Sequence, residues 1–429
     1  MRQKEPPSLR SESRPFRRIF AAFFVFSSGC GVQQWRSETA QSHTDNSIAA
    51  GRFVGKESTN SESSTNPNLN NLGELGVQPK DSLLPSVPRT RSVTGDSRPP
   101  ILAIRLPDHT ALGVPIGLFT DQMFLMRNDG AIQQIKNSDI VEQTVLNARF
   151  HPIDRTELAK QLRAEFGRNY SVKSELPYLI VARPEHIENW CKRFRSFHHS
   201  FSRYCSAHGL KTREIEFPLV AVVFGSRIEF QRYSRSGPLQ VPESVVGYYM
   251  PDTNRILLYE SAGESTNATE KIICHEATHQ LAFNTGLHQR RASTPLWLAE
   301  GFASMFEAPM LLGTQSRDGT SLWPESRQHT WQLLAKHPEL IHRLVSGLIQ
   351  NDSAFEFEAQ NAYTVAWAMS TYLSRRSPQQ FGSYLNRVSQ LPPFESYQTD
   401  QRVVDFQSAF GADNRLLSKK IIKYLESLE

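Results

Sequence analysis

The sequence predicts an α+β protein, and three observations carry that prediction. Ile101 to about Phe166 breaks into short apolar runs around an Asp129-Gly130 turn, a β-hairpin signal. Tyr178 to Val181 and Leu219 to Phe224 are continuous apolar runs, as in strands buried on both faces. Around and after them apolar residues recur at helical spacing, and beyond Tyr363 the chain reads as mostly helical to Glu429.

The amino terminus reads as an export signal. Arg14, Arg17 and Arg18 precede the apolar stretch Ile19 to Ser28, which is too short to span a bilayer. Ser27-Ser28-Gly29-Cys30 resembles a bacterial lipobox, in which Cys30 is lipidated and becomes the first mature residue, although position 27 is usually a bulky aliphatic. Ordinary cleaved export and a buried segment are the other readings. Glu57 to Asn71 contains one apolar residue, Leu69, and cannot build a core, so it reads as a tether. The chain divides into a leader (1–30), a Ser/Thr/Asn-rich tether (31–98), a small β-rich module (99–167) and a main domain (168–429).

In the module, Met123 to Met126 and Ala131 to Ile135 are the two arms of the hairpin. In the main domain, Glu185 to His208 shows one apolar stripe through Ile187, Trp190, Cys191, Phe194, Phe197, Phe201, Tyr204 and Cys205, begun by Pro184 and ended by Gly209. Fourteen residues of helix separate Cys191 and Cys205 by about 21 Å, beyond the ~7 Å that a disulfide tolerates. Both therefore read as buried thiols. The aromatic stripe is core, and the net charge of +5 over 429 residues includes no basic stripe, which excludes a nucleic-acid binder.

The chemistry sits in His275-Glu276-Ala277-Thr278-His279. On a helix the two histidines share one face and can hold one metal ion, while Glu276 between them can work on a bound water. With 13 His and 43 acidic residues, composition alone produces such a string with a probability of roughly 2%, so context decides. Asn267 to Phe283 reads as a helix, with Asn267 as cap, Glu270 completing a capping box and Gly286 beyond its end. Cys274 reads as an apolar helix neighbour or an extra soft ligand, and its side chain points about 100° away from His275.

A second helix follows, with Thr294 as N-cap, Pro295 in the first turn, and Leu296 to Glu307 as its body. Glu300 lies among Trp297, Leu298, Ala299, Phe302 and Ala303, where an acid must be paired or metal-bound. It is the candidate third ligand, and Glu307, two turns on, is the alternative. Gly301 costs a helix about 1 kcal/mol relative to Ala, which points to a close approach of a neighbouring helix or of substrate.

These strings resemble the gluzincin (peptidase-MA-like) zinc metallopeptidases. Trp297-Leu298-Ala299-Glu300-Gly301-Phe302-Ala303 is similar to the glutamate-bearing helix of aminopeptidase-N-type enzymes. With His275 to Gln280 it is also similar to a bacterial family of uncharacterised gluzincin-like envelope proteins, domain of unknown function 1570. The resemblance runs from Leu219 to about Leu373. It implies a gluzincin-like domain, Zn2+ held by His275, His279 and Glu300, and Glu276 as general base.

A tyrosine or histidine beyond the glutamate helix often stabilises the oxyanion in that clan. Tyr363, on a helix through Asn361 to Leu373, is the candidate here, with a core tyrosine as its other reading. His329 is the weaker rival. The clan also uses the strand before the zinc helix as an edge for extended substrate. Asn254 to Tyr259 occupies that place, with Tyr248 and Tyr249 nearby as cleft or core residues.

Two departures favour endopeptidase action: the His279 to Glu300 gap is longer than in aminopeptidases, and no Gly-x-Met-Glu-Asn strand is present. The expectation is a zinc peptidase of the bacterial cell envelope, lipid-anchored through Cys30 or periplasmic, with a protein or peptide substrate and no nucleic acid. The alternative is a catalytically silent domain that binds or scaffolds there.

Overall fold

The computed structural model describes residues 98–236, 241–242, 244–260, 266–308 and 323–428. Residues 1–97, which take in the leader, Cys30 and all of the tether but Arg98, lie outside the described residues. Five strands open the described chain: β1 (Pro100–Arg105), β2 (Thr110–Leu118), β3 (Gln122–Met126), β4 (Ile132–Lys136) and β5 (Glu142–Arg149). They form an antiparallel sheet in the order β4-β3-β2-β1-β5. The β3–β4 hairpin turns where expected: Gly130 takes φ +80, a left-handed conformation that glycine adopts without a Cβ penalty.

The second sheet is built from β6 (Ser171–Glu175), β7 (Tyr178–Ala182), β8 (Leu219–Phe224), β9 (Gly247–Met250) and β10 (Arg255–Tyr259), in the order β6-β7-β8-β10-β9. Strands β7, β8 and β10 run parallel, with β6 and β9 antiparallel at the edges. Alternation sorts its side chains. Tyr178, Ile180, Leu219, Ala221, Ile256 and Leu258 join the larger core, and Leu179, Val181, Val220, Val222 and Leu257 join a smaller one on the other face. Both faces are buried, which is why these strands are apolar throughout.

Helix α1 (Arg155–Phe166) lies on the smaller core through Leu158 and Leu162, so the stretch assigned from sequence to the β-rich module packs on the second sheet instead. Helix α3 (Arg227–Ser236) shares that face through Phe230. The opposite face carries α2 (Ile187–Ala207), whose aromatic stripe is core as expected, and α4 (Thr266–Asn284). Cys191, Cys205 and Cys274 are free and buried. Helix α4 begins at the edge of the described residues with Asn267 already inside it, so its capping box is outside what the structure describes.

One strand assignment is corrected. The strand directly before α4 is β10, which is internal, and the edge belongs to β9. Tyr248 and Tyr249 are buried in the two cores, because β9 is covered on both faces.

The carboxyl-terminal part is helical: α5 (Leu296–Met305), α6 (Glu325–Leu334), α7 (Pro338–Gln350), α8 (Ala354–Phe357), α9 (Ala359–Arg376), α10 (Pro378–Ser389), α11 (Thr399–Phe410) and α12 (Asn414–Glu426). Helix α5 starts after Pro295, not at a Thr294 cap. Its first free amide, Leu296 N–H, donates to Asp352 Oδ1 at 3.1 Å, so a side chain beyond α7 does the capping that sequence assigned to a local residue. Arg402 fixes that carboxylate with two donors at 2.8 and 3.1 Å. Among the described residues no helix is long and apolar enough to cross a membrane.

Gly301 marks the tightest contact of α5. A Cβ there would lie 2.3 Å from both the Ala366 carbonyl oxygen and Ser370 Oγ on α9. The missing side chain is what lets the Glu300 helix press against the Tyr363 helix. Gly301→Ala should therefore destabilise the fold by about 1–3 kcal/mol or more through overpacking, despite the better helix propensity of alanine. A chemical-denaturation midpoint equal to wild type would show that the two helices separate without cost.

Candidate metal centre

Three side chains from two helices converge. His275 and His279 project from one face of α4, and their Nε2 atoms lie 3.1 Å apart. Glu300 comes from α5, with Oε2 at 3.2 Å from His275 Nε2 and Oε1 at 3.5 Å from His279 Nε2. Ligand atoms around a tetrahedral dication with bonds of about 2.0–2.2 Å lie roughly 3.3–3.6 Å apart, so the observed spacing needs little adjustment. These three form a buried group able to hold a metal ion, the one such group among the described residues. Cys274 is outside it, and burial pushes its thiol pKa up.

Charge gives an independent reason for a cation. Glu276, Glu300, Glu307 and Arg327 are 5%, 1%, 0% and 6% exposed. Three carboxylates against one guanidinium leave two buried net negative charges when the imidazoles are neutral, and charges in such surroundings must be compensated. A divalent ion restores neutrality. In its place protons do part of the work: burial pushes His275 down, but hydrogen bonds to Glu300 and Glu307 outweigh it and hold its pKa well above the ordinary imidazole value. Burial pushes Glu300 up, yet His279 and His275 hold it below the ordinary carboxylate range.

Glu307 is not a member of the ligand group. His275 Nδ1–H donates to its Oε1 at 2.9 Å, which fixes the tautomer that turns the Nε2 lone pair inward. The alternative ligand weighed from sequence is thus the carboxylate behind the histidine. The sequence placed Glu307 in the helix two turns past Glu300, but α5 ends at Met305 and Glu307 reaches His275 from the turn that follows it. Arg327, from α6, sits 3.7 Å from Glu307 Oε1 and 5.3 Å over the Tyr363 ring. No sequence pattern announced it.

Glu276 is buried next to the ligands, and Tyr249 N–H of β9 donates to its Oε2 at 2.7 Å. Burial raises its pKa, opposed by His275, His279 and that amide. Tyr363 is buried on α9 against Phe355, and burial, then the charge of Glu300, holds its phenol well above the ordinary tyrosine value. His329 is exposed on α6. His288, which the sequence did not flag, is buried between Phe283 and Phe302, and neither ring nitrogen meets a hydrogen-bond partner among the described residues. Burial and the neighbouring His279 push its pKa down to about 3, so it stays neutral.

Residues 269–395 are similar to a protein family of unknown function, DUF1570. The DUF1570-like stretch holds all three ligand candidates together with Glu276, Glu307, Arg327 and Tyr363. It ends in the loop after α10. No curated protein matches the chain.

Glu307→Gln keeps the size but weakens the hold on His275, and should lower metal affinity about 10–100-fold in a chelator competition. Unchanged affinity would remove Glu307 from the centre.

The protonation states give a second expectation. A raised imidazole contributes stability that is fully present below its unfolded value of 6.5 and lost as pH rises through the folded value. The lowered Glu300 contributes stability present above 4.5 and lost as pH falls. Metal-free protein should therefore be most stable between these limits and lose Tm as pH rises above about 6.5. Metal-loaded protein should lack that alkaline loss, because the ion replaces the proton. Parallel Tm–pH curves for the two forms would count against the charge argument.

Proposed function

We propose that the chain is a zinc-dependent peptidase of the bacterial cell envelope that cleaves peptide bonds internally. The observation that carries this reading is Glu276. It is unnecessary for holding a metal, yet it is buried beside the ligand group with its carboxylate fixed by a backbone amide. A domain that only binds a partner has no use for an acid kept there against its desolvation cost.

His275, His279 and Glu300 would hold the zinc, a set of two neutral imidazoles and one carboxylate that suits this ion. Bound zinc supplies Lewis acidity that polarises a substrate carbonyl and brings the pKa of water toward 7. Glu276 takes the proton from the attacking water and returns it to the leaving amine. Its raised pKa makes it a stronger base for the first of these transfers. Tyr363 keeps its proton at neutral pH and so can donate to the oxygen that gains charge, with Arg327 adding positive potential over the same ring. Glu307 orients His275. The basic and apolar leader and the lipobox-like run ending at Cys30 support an envelope location.

Glu276→Gln should retain zinc and fold but lose activity on a broad peptide library by a factor of about 10² or more. Tyr363→Phe should lower kcat by about 10–10³-fold with little change in KM. Digestion by Glu276→Gln at the wild-type rate would exclude this mechanism and leave the silent binding reading in its place. For location, Cys30→Ala should leave the protein unprocessed or free of the membrane pellet, and unchanged partition and mass would rule out the lipid anchor.

A further inference from the structure

Helix α4 carries a second polar line beside its histidines. Glu276, Gln280 and Asn284 are spaced by four residues and share one face, which turns toward the second sheet. Glu276 accepts from Tyr249 N–H on β9 at 2.7 Å. Gln280 Nε2 donates to the Val220 carbonyl at 3.2 Å and to the Asn254 carbonyl at 2.7 Å, bridging β8 and the residue that precedes β10. Asn284 Nδ2 donates to Asn254 Oδ1 at 2.7 Å, and Asn254 Nδ2 donates back to Asn284 Oδ1 at 3.0 Å. Tyr249 Oη also donates to Asn254 Oδ1, at 2.9 Å. Asn254 adopts φ +57, a left-handed conformation that asparagine tolerates, and it sits at the turn between β9 and β10. Gln280, Asn284, Asn254 and Tyr249 are all buried.

Apolar packing sets the depth of a helix on a sheet but constrains rotation about the helix axis only weakly. Directional hydrogen bonds constrain that rotation. The lever is long. An imidazole Nε2 stands roughly 7 Å from the axis, so a 10° rotation moves it by about 1 Å, and a metal site tolerates about 0.5 Å. The histidines lie one residue behind this line, on the flank facing α5.

We propose that Gln280, Asn284 and Asn254 are positioning residues of the metal centre. By bonding to the sheet they fix the rotational setting of α4 at which His275 and His279 meet Glu300. This inference rests on the metal-binding reading of the three ligand residues and deepens it.

The test uses the full chain, with zinc affinity measured by chelator competition and the visible absorption of bound Co2+ as a reporter of ligand geometry. Gln280→Met keeps the volume and removes both donors. Asn254→Gly keeps the left-handed turn and removes the amide that Asn284 and Tyr249 share. Val388→Ala in α10, a buried core truncation away from the centre, is the control for lost stability. Both ladder variants should bind zinc about 10–100-fold more weakly and show an altered Co2+ spectrum, while Val388→Ala lowers Tm and leaves both readouts at wild type. Wild-type affinity and spectrum in Gln280→Met and Asn254→Gly would overturn the proposal. So would an equal loss of affinity in Val388→Ala, since the ladder would then act through stability alone. If wild-type protein binds neither ion, the metal reading itself fails, and this inference with it.

Discussion

Three buried carboxylates facing one buried guanidinium form the constraint around which this domain is arranged. An uncompensated charge of that size in a low-dielectric interior costs several kcal/mol per ion, so Glu276, Glu300 and Glu307 persist there only with a cation, or with protons in its place. The raised imidazole of His275 and the lowered carboxylate of Glu300 are two sides of that compensation. Stability and metal affinity are thereby linked, because whatever neutralises the centre also holds α4 to α5.

The supporting architecture brings two helices together and keeps each from turning. Helix α5 is pressed on α9 at Gly301, and its first amide is held by Asp352, itself clamped by Arg402 on α11. Helix α4 is bonded to the sheet along a face adjacent to its histidines. The β1–β5 sheet joins the same frame. Ile132 N–H donates to the Asp252 carbonyl in the β9–β10 turn at 2.6 Å, and Arg290 Nη1 donates to the Gly130 carbonyl at 2.6 Å. Thus the turn that supplies Asn254 is held from both sides.

How much of the site was legible in sequence depends on the range of each interaction. His275, Glu276 and His279 stand out because a helix converts a fixed spacing into a shared face. Glu300 stands out because an acid among Trp297, Leu298, Phe302 and Ala303 has no other way to be buried. Glu307 was half legible: its spacing from Glu300 marked it, but only its 2.9 Å approach to His275 Nδ1 told ligand from partner. Arg327 and Asp352 were not legible, since an arginine in a short helix and an aspartate in a loop have many ordinary roles.

The sequence alone determined the α+β class, the buried strands, the aromatic face of α2, the free thiols of Cys191 and Cys205, and the motif helices. All of these follow from periodicity, chain geometry or burial cost over a few turns. The tertiary structure decided that β9 and not β10 is the edge, that α1 belongs to the second sheet, that α5 is capped from beyond α7, and that Glu276, Gln280 and Asn284 face the sheet. Each of those depends on which surfaces meet across stretches of chain longer than a local pattern spans, and that pattern carries no record of the meeting.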